Sequence, residues 1–336
     1  MTGAAGFIAG YLVPELLEGG HEVVGLDNHS KYGPLTRSYD THPAYSFVDG
    51  DAKDGELLRS LAADCDQVIA GAAMIGGISY FHQFAYDLLA ENERILAATF
   101  DGAIHAFEEG RLQKVNVISS SMVYESATTF PTPEGAERAC PPPLSTYGFQ
   151  KLASEYFARG AYQQYGLPYT IIRPFNCVGI GERRASRDSE VTSGNVKLAL
   201  SHVVPDLAQK ILKGQDPVHI LGDGSQVRHY TYGGDLARGI RLCVESPAAW
   251  NEDFNLSTDR STTVLELVEL LWRTVHGPSR PLTLVHDEPF EHDVRQRVPD
   301  TRKATRLLGF TATTALEEML DEVIPWIGQE IEAGRL

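Results

Sequence analysis

The chain has 336 residues, 43% of them hydrophobic and 22% charged, with a formal net charge of -16. That length suits one large α/β unit or two lobes, and the composition is ordinary for a soluble enzyme. The negative balance argues against a nucleic-acid or anionic-membrane surface, both of which need basic patches, so an anionic ligand has to be met by local positive charge. No apolar run is long enough to span a bilayer and no signal-peptide pattern opens the chain, which predicts a cytoplasmic protein. Cys65, Cys140, Cys177 and Cys243 are scattered without metal-ligand spacing. They read as structural thiols, and no metal site is expected.

The chain opens Met-Thr-Gly-Ala-Ala-Gly-Phe-Ile-Ala-Gly. Gly3 and Gly6 allow a tight turn and a close backbone approach to a pyrophosphate at a helix N-terminus, where free N–H groups and the helix dipole favour an anion. Phe7 and Ile8 begin that helix. His21 to Asp27 reads as a short buried strand ending in a carboxylate. Asp27 lies twenty-one positions after Gly6, near the ~20 expected of an acid that holds the adenosine ribose of a dinucleotide. Such an acid repels a 2′-phosphate and favours NAD over NADP. A hydrophobic strand normally precedes a turn of this kind, yet only Met1 and Thr2 stand before Gly3. The first strand is therefore expected to be missing, through an internal start, unless the sheet is closed in some other way.

Further strands are expected at Tyr45 to Ala52, at Gln67 to Met74, at Lys114 to Ile118 and at Leu167 to Phe175, with a helix from Ala85 to Glu109 and another from Thr146 to Tyr165. Strands alternating with helices predict a Rossmann-like, doubly wound parallel sheet of the α/β class, with functional groups at the C-terminal strand ends. Ser120, Phe175 and Asn176 fall at such ends. After Gly179 a polar segment runs to Gly194, an amphipathic helix is expected through Leu212, and a short strand at Pro217–Leu221 leads into a turn from Gly222 to His229. These begin a smaller C-terminal substrate-binding lobe. The expected division assigns 1–178, with 225–245 returning to it, to the cofactor domain, and 179–224 and 246–336 to the substrate lobe.

Tyr147 and Lys151 stand at i and i+4, on one face of a helical turn, so the ammonium can favour the phenolate. A free phenol titrates near ~10, and a tyrosine base at neutral pH needs such help. Ser120, in the triplet Ser119–Ser121, can hold a substrate oxygen at the same place. A chance pair on a solvated helix face is the competing reading of the Tyr-x-x-x-Lys pattern taken alone.

Together these motifs resemble the extended short-chain dehydrogenase/reductase family, specifically its NAD-dependent nucleotide-sugar epimerases and dehydratases, over nearly the whole chain. The resemblance implies that Gly3, Gly6, Phe7 and Ile8 form the cofactor turn, with Ala9 where a third glycine usually falls. It places Asp27 and Asn28 at the adenosine ribose, Asp51 and Ala52 at the adenine, Ala72 and Ala73 under the cofactor, and Tyr147, Lys151 and Phe175 against it. Ser120, Tyr147 and Lys151 match the catalytic residues, while Ser120, Tyr147, Asn176 and Arg228 match substrate-binding positions, Arg228 pairing with the diphosphate.

Dehydratases of this family carry an aspartate and a glutamate after the catalytic hydroxyl, decarboxylases keep the glutamate, and C3/C5 epimerases use a cysteine at the second position. This chain has Ser121 and Met122 there, so the resemblance implies a 4-epimerase that oxidises and re-reduces one carbon. A keto-sugar reductase or 3,5-epimerase and a non-catalytic NAD-binding scaffold are the alternatives. Gly76–Gly77 resembles the GDP-sugar members and keeps a GDP-sugar open, or merely permits a turn. Arg183 or Arg184 could meet an acidic sugar, although a solvated loop is the plainer reading. His82, His202 and His219 read as packing or surface histidines. The helices near Ala85–Glu109 and Thr146–Tyr165 are those through which the family pairs, which predicts a homodimer.

Overall fold

The computed structural model describes residues 1–75, 84–182, 191–193, 196–198, 202–289 and 294–336. Gly76, Gly77, His82, Arg183 and Arg184 lie outside them.

The main sheet is parallel. Its strands in chain order are β1 (Val23–Asp27), β2 (Tyr45–Asp49), β3 (Gln67–Ala70), β4 (Lys114–Ile118) and β5 (Tyr169–Pro174), followed by Glu252–Leu256. The β1 strand pairs with β2, and β3, β4, β5 and Glu252–Leu256 pair in that order. Thr2 joins the two groups by parallel bridges to Leu26 and Ala70. Met1 and Thr2 thus occupy the middle of the sheet. The Met1 ammonium donates to the Val24 carbonyl at 2.8 Å, the Thr2 N–H to Ile69 at 3.0 Å, and the Gly3 N–H to Leu26 at 2.9 Å. The Thr2 hydroxyl also accepts from the N–H groups of Gly71 and Ala72.

Helices α1 (Phe7–Glu18), α2 (Gly55–Ala62), α3 (Ala85–Glu108) and α4 (Thr146–Tyr165) cover the sheet. Local signals set their ends. Asp54 caps α2 by accepting from Glu56 and Leu57, Ser145 caps α4 by accepting from Gly148, and Gly166 closes α4 at a φ of 76°, where a Cβ would be strained. One apolar core packs α1 and the helix Gly233–Glu245 on one sheet face, and a second packs α3 and α4 on the other. A third core joins the helices Val203–Leu212, Val264–His276 and Leu316–Glu332 into the C-terminal part.

The expected helix after Gly194 begins only at Val203; Val191–Ser193 and Val196–Leu198 form an antiparallel pair instead. β-branched residues in that stretch favour the extended form over the helix.

Arg173 is fully buried beneath the strand ends. Its guanidinium donates to both Glu155 oxygens at 2.7 Å, to Asp253 at 2.8 Å and to the Tyr124 hydroxyl at 2.6 Å, and lies 3.2 Å from Glu137. Glu155 also accepts from the Ser119 hydroxyl at 2.7 Å. The network therefore ties α4 and β5 to the residue beside Ser120.

Candidate active site

A cleft of about 850 Å³ runs along the C-terminal strand ends. Its walls include Gly3, Gly6, Phe7, Ile8, Asp27, Asn28, Asp51, Ala52, Ala72 and Ala73 at one end, Ser120, Tyr147 and Lys151 in the middle, and Asn176 and Arg228 beyond. Residues separated by more than two hundred positions thus meet in one groove, as the sequence predicts.

Gly3 adopts a φ of +77°, and a Cβ there would sit 2.9 Å from the backbone of Gly71 and Ala72. The turn is therefore open only to glycine. Helix α1 has no side-chain cap at Gly6, so its first-turn amides are available to an anion. Asp27 is fixed as an acceptor by the N–H groups of Ala5 at 3.0 Å and His29 at 2.8 Å, and each oxygen retains a lone pair for a ribose hydroxyl. These features fit a dinucleotide. Gly3→Ala is expected to weaken NAD binding at least about tenfold, because the added methyl needs both a disfavoured φ and displaced backbone; titration calorimetry with NAD measures it.

Ser120 lies just past β4 with a φ of -161°, and its hydroxyl accepts from the Met122 N–H at 3.2 Å. It also hydrogen-bonds Tyr147. Lys151 is 5% exposed, and its ammonium donates to the Ile118 carbonyl at 2.9 Å. Burial pushes the Tyr147 phenol up, with the Ser120 hydrogen bond and the Arg297 charge pulling it back, and burial pushes Lys151 down to about 8. Desolvation is thus the largest influence on the Tyr147 phenol. A phenolate at neutral pH needs further positive charge close by.

One expected cofactor residue is misplaced. Phe175 does not line the cleft; it is 1% exposed and packs with Val123, Tyr124 and Leu152, its ring 6.3 Å from that of Tyr124. Neighbours Pro174, Asn176 and Cys177 form the wall instead. The chain leaves the strand at this point, and Asn176 takes a φ of +35° with its side-chain amide donating to the His229 carbonyl.

Several cleft residues were not foreseen as site residues. Arg297 lines the groove with Arg228 and acts electrostatically on Tyr147. It lies in a stretch without a motif, and pairing in space rather than in sequence brings it in: its N–H donates to the Val227 carbonyl, while the Val227 N–H donates to the Arg295 carbonyl. Glu125 accepts from the Ser145 hydroxyl at 2.6 Å and from the Ser145 N–H, clamping the first turn of α4 that carries Tyr147. Asp206 and Lys210 line the cleft from the helix Val203–Leu212. His202, expected as a packing or surface residue, also borders the cleft and bonds Glu182 at 2.7 Å; His219 is paired with Asp287 at 2.9 Å.

A parallel sheet with a glycine turn and acid at its centre, and a serine, tyrosine and lysine at its strand ends, defines an NAD-dependent enzyme. Residues 1–257 match the model of the NAD dependent epimerase/dehydratase family. The UDP-glucose 4-epimerase of Mycolicibacterium smegmatis is 28% identical over 335 residues, covering 96% of each chain. Among solved structures, the UDP-glucose 4-epimerase of Thermotoga maritima with UDP-glucose superposes at a TM-score of 0.79 with 28% identity, covering 98% of both chains. A variant of the UDP-glucuronic acid 4-epimerase of Bacillus cereus, solved with NAD and UDP-4-deoxy-4-fluoro-glucuronic acid, superposes at 0.81 with 25% identity and 98% coverage of both. The chain belongs to the NAD-dependent epimerase/dehydratase family, as an enzyme of the nucleotide-sugar epimerase class with NAD as its cofactor.

Proposed function

We propose that this protein is a nucleotide-sugar 4-epimerase, acting through Ser120, Tyr147 and Lys151 on a diphosphate held by Arg228, Arg297 and Asn176. The observation that carries the reading is the pair Ser121 and Met122, both on the cleft wall beside Ser120 and neither able to take a proton from carbon. Bound NAD supplies a reversible two-electron acceptor for the hydrogen of a carbinol carbon. Tyr147 takes the proton of the C4 hydroxyl and returns it after the keto sugar has turned over, while the Ser120 hydroxyl holds the same oxygen. Lys151, anchored to the Ile118 carbonyl, supplies positive charge behind the phenol. Two guanidiniums suit a diphosphate, and binding energy from this non-reacting part leaves the sugar free to rotate. Gly3, Gly6, Phe7, Ile8, Asp27, Asn28, Asp51, Ala52, Ala72 and Ala73 would hold the cofactor. In this reading 1–178 with 225–245 form the cofactor domain and the remainder the substrate lobe.

A keto-sugar reductase or C3/C5 epimerase is the second reading, favoured by Glu125, a carboxylate on the cleft wall. Its oxygens are engaged by Ser145, which supports a clamping role rather than proton transfer. Incubation with UDP-, GDP-, CDP- and dTDP-sugars without added NAD tests the proposal: NMR should show a C4 epimer, and a reaction that runs only with added NADPH would refute it.

The protein is further proposed to be a homodimer paired through α3 and α4, which bear exposed aromatic residues. Tyr86 is 76% and Tyr156 63% exposed, and Phe149, one heptad before Tyr156, is also exposed. Such a face supports burial against a second copy. Tyr156→Glu should give a monomer by light scattering, and an unchanged dimer would refute this interface. The cysteines of the structure are all free, which supports a cytoplasmic protein.

A further inference from the structure

We infer that the cleft wall formed by the helix Val203–Leu212 selects guanine, through Asp206 and Lys210, so that the substrate is a GDP-sugar; the inference rests on the nucleotide-sugar reading above. The same cleft that Arg228 and Arg297 line is walled by Val203 and Leu207 of the helix Val203–Leu212, by Ile220 and Leu221, and by Val264. Apolar walls of this kind accept the faces of a flat base. Asp206 and Lys210 interrupt them on the same helix face.

Lys210 is 2% exposed and the Asp206 side chain 16%, with the ammonium 3.0 Å from Asp206 Oδ2. The ammonium also donates to the His219 carbonyl at 3.0 Å, which accounts for two of its three N–H groups. Asp206 Oδ1 is buried and has no hydrogen-bond partner among the described residues. A dry ion pair is costly, and a carboxylate oxygen without a donor adds to that cost. A purely structural tie between this helix and the strand at His219 needs only the ammonium and the carbonyl. Burial pushes the Asp206 carboxyl up while Lys210 pulls it back, and donors from a ligand would act in the same sense as Lys210.

The pair thus presents an unused N–H next to a carboxylate in need of donors. Guanine's Watson–Crick edge is the complement: the O6 acceptor, then the N1–H and the N2 amino donors. Uracil and thymine offer acceptor, donor and acceptor, which turns a carbonyl toward the carboxylate. Cytosine and adenine offer one exocyclic amino donor with ring acceptors beside it. The bidentate match with a neighbouring cation is therefore made by guanine.

Calorimetric titration of the NAD-loaded full chain with GDP, IDP, UDP, dTDP and CDP tests the assignment. GDP should bind at least about tenfold more tightly than UDP, dTDP or CDP, and IDP, which lacks the 2-amino group, about tenfold more weakly than GDP. Asp206→Asn should abolish the preference for GDP over UDP without changing NAD affinity. Another diphosphate binding as well as GDP, or IDP matching GDP, overturns the base assignment even if the variant does not fold, and leaves a 4-epimerase of another sugar nucleotide intact. Failure of every diphosphate to bind overturns both this inference and the nucleotide-sugar reading beneath it.

Discussion

Tyr147→Phe is expected to bind NAD as tightly as the native chain and to lose turnover by about 10²–10⁴-fold. The substitution removes one oxygen from a side chain that lies at the middle of the cleft and hydrogen-bonds Ser120. It leaves the aromatic ring, so the N-terminal turn of α4 and the glycine turn across the cleft should keep their geometry. The fall should appear in kcat with little change in KM, because the lost interaction is made with the reacting oxygen and not with the diphosphate. Steady-state kinetics together with an NAD titration check both halves. Full activity in the variant would remove Tyr147 from the role assigned to it.

Arg173→Met is expected to cost about 3–5 kcal/mol of stability, the range for breaking a buried ion pair by removing one partner. Glu155 and Glu137 have side chains with no solvent exposure, and they would be left without the guanidinium. Urea denaturation of the two chains measures the difference. Its pH dependence has a definite sign. Burial pushes the Asp253 carboxyl up, but Arg173 and Lys303 outweigh it and hold it at about 2, below its ordinary 3.8. A carboxyl with a depressed folded value contributes stability above its ordinary range, and the contribution is lost as pH falls through that range toward the folded value. Without Arg173 much of this contribution is absent, so the gap between native chain and variant should narrow between about pH 4 and pH 2. Replacing Glu155 with Leu as well should recover part of the loss, since an apolar pair does not carry the desolvation cost of the ions.

The central parts of the site were legible because their chemistry is local. Gly3, Gly6 and Asp27 announce a dinucleotide turn by spacing along one helix and strand, and Tyr147 and Lys151 share a helical face whatever the rest of the chain does. The parallel sheet followed from strands alternating with helices, and Ser120 from its place at a strand end. What escaped depended on contacts between distant segments. Phe175 sits where β5 ends, so strand alternation no longer fixes which way its side chain points, and the ring went into the core. The Arg173 side chain is drawn beneath the sheet by carboxylates from three other segments, Glu155, Glu137 and Asp253. Arg297 is carried to the cleft by the backbone bridge of its segment to Val227, and Asp206 and Lys210 carry no motif that marks them in the sequence. Met1 and Thr2 lie at the centre of the sheet, with Thr2 bridging to Leu26 and Ala70.

The proposed chemistry is confined to one carbinol carbon, and the isotope content of the product tests that most directly. A sugar nucleotide accepted by the protein is converted in D₂O without added NAD, and each ring position of the product is read by NMR and mass spectrometry. Inversion at C4 with no deuterium on any ring carbon is the predicted result, because the hydrogen removed from C4 is returned to it. Deuterium at C3 or C5 would contradict the account, and would transfer the chemistry to a carbon acid and its base, with Glu125 the first residue to substitute.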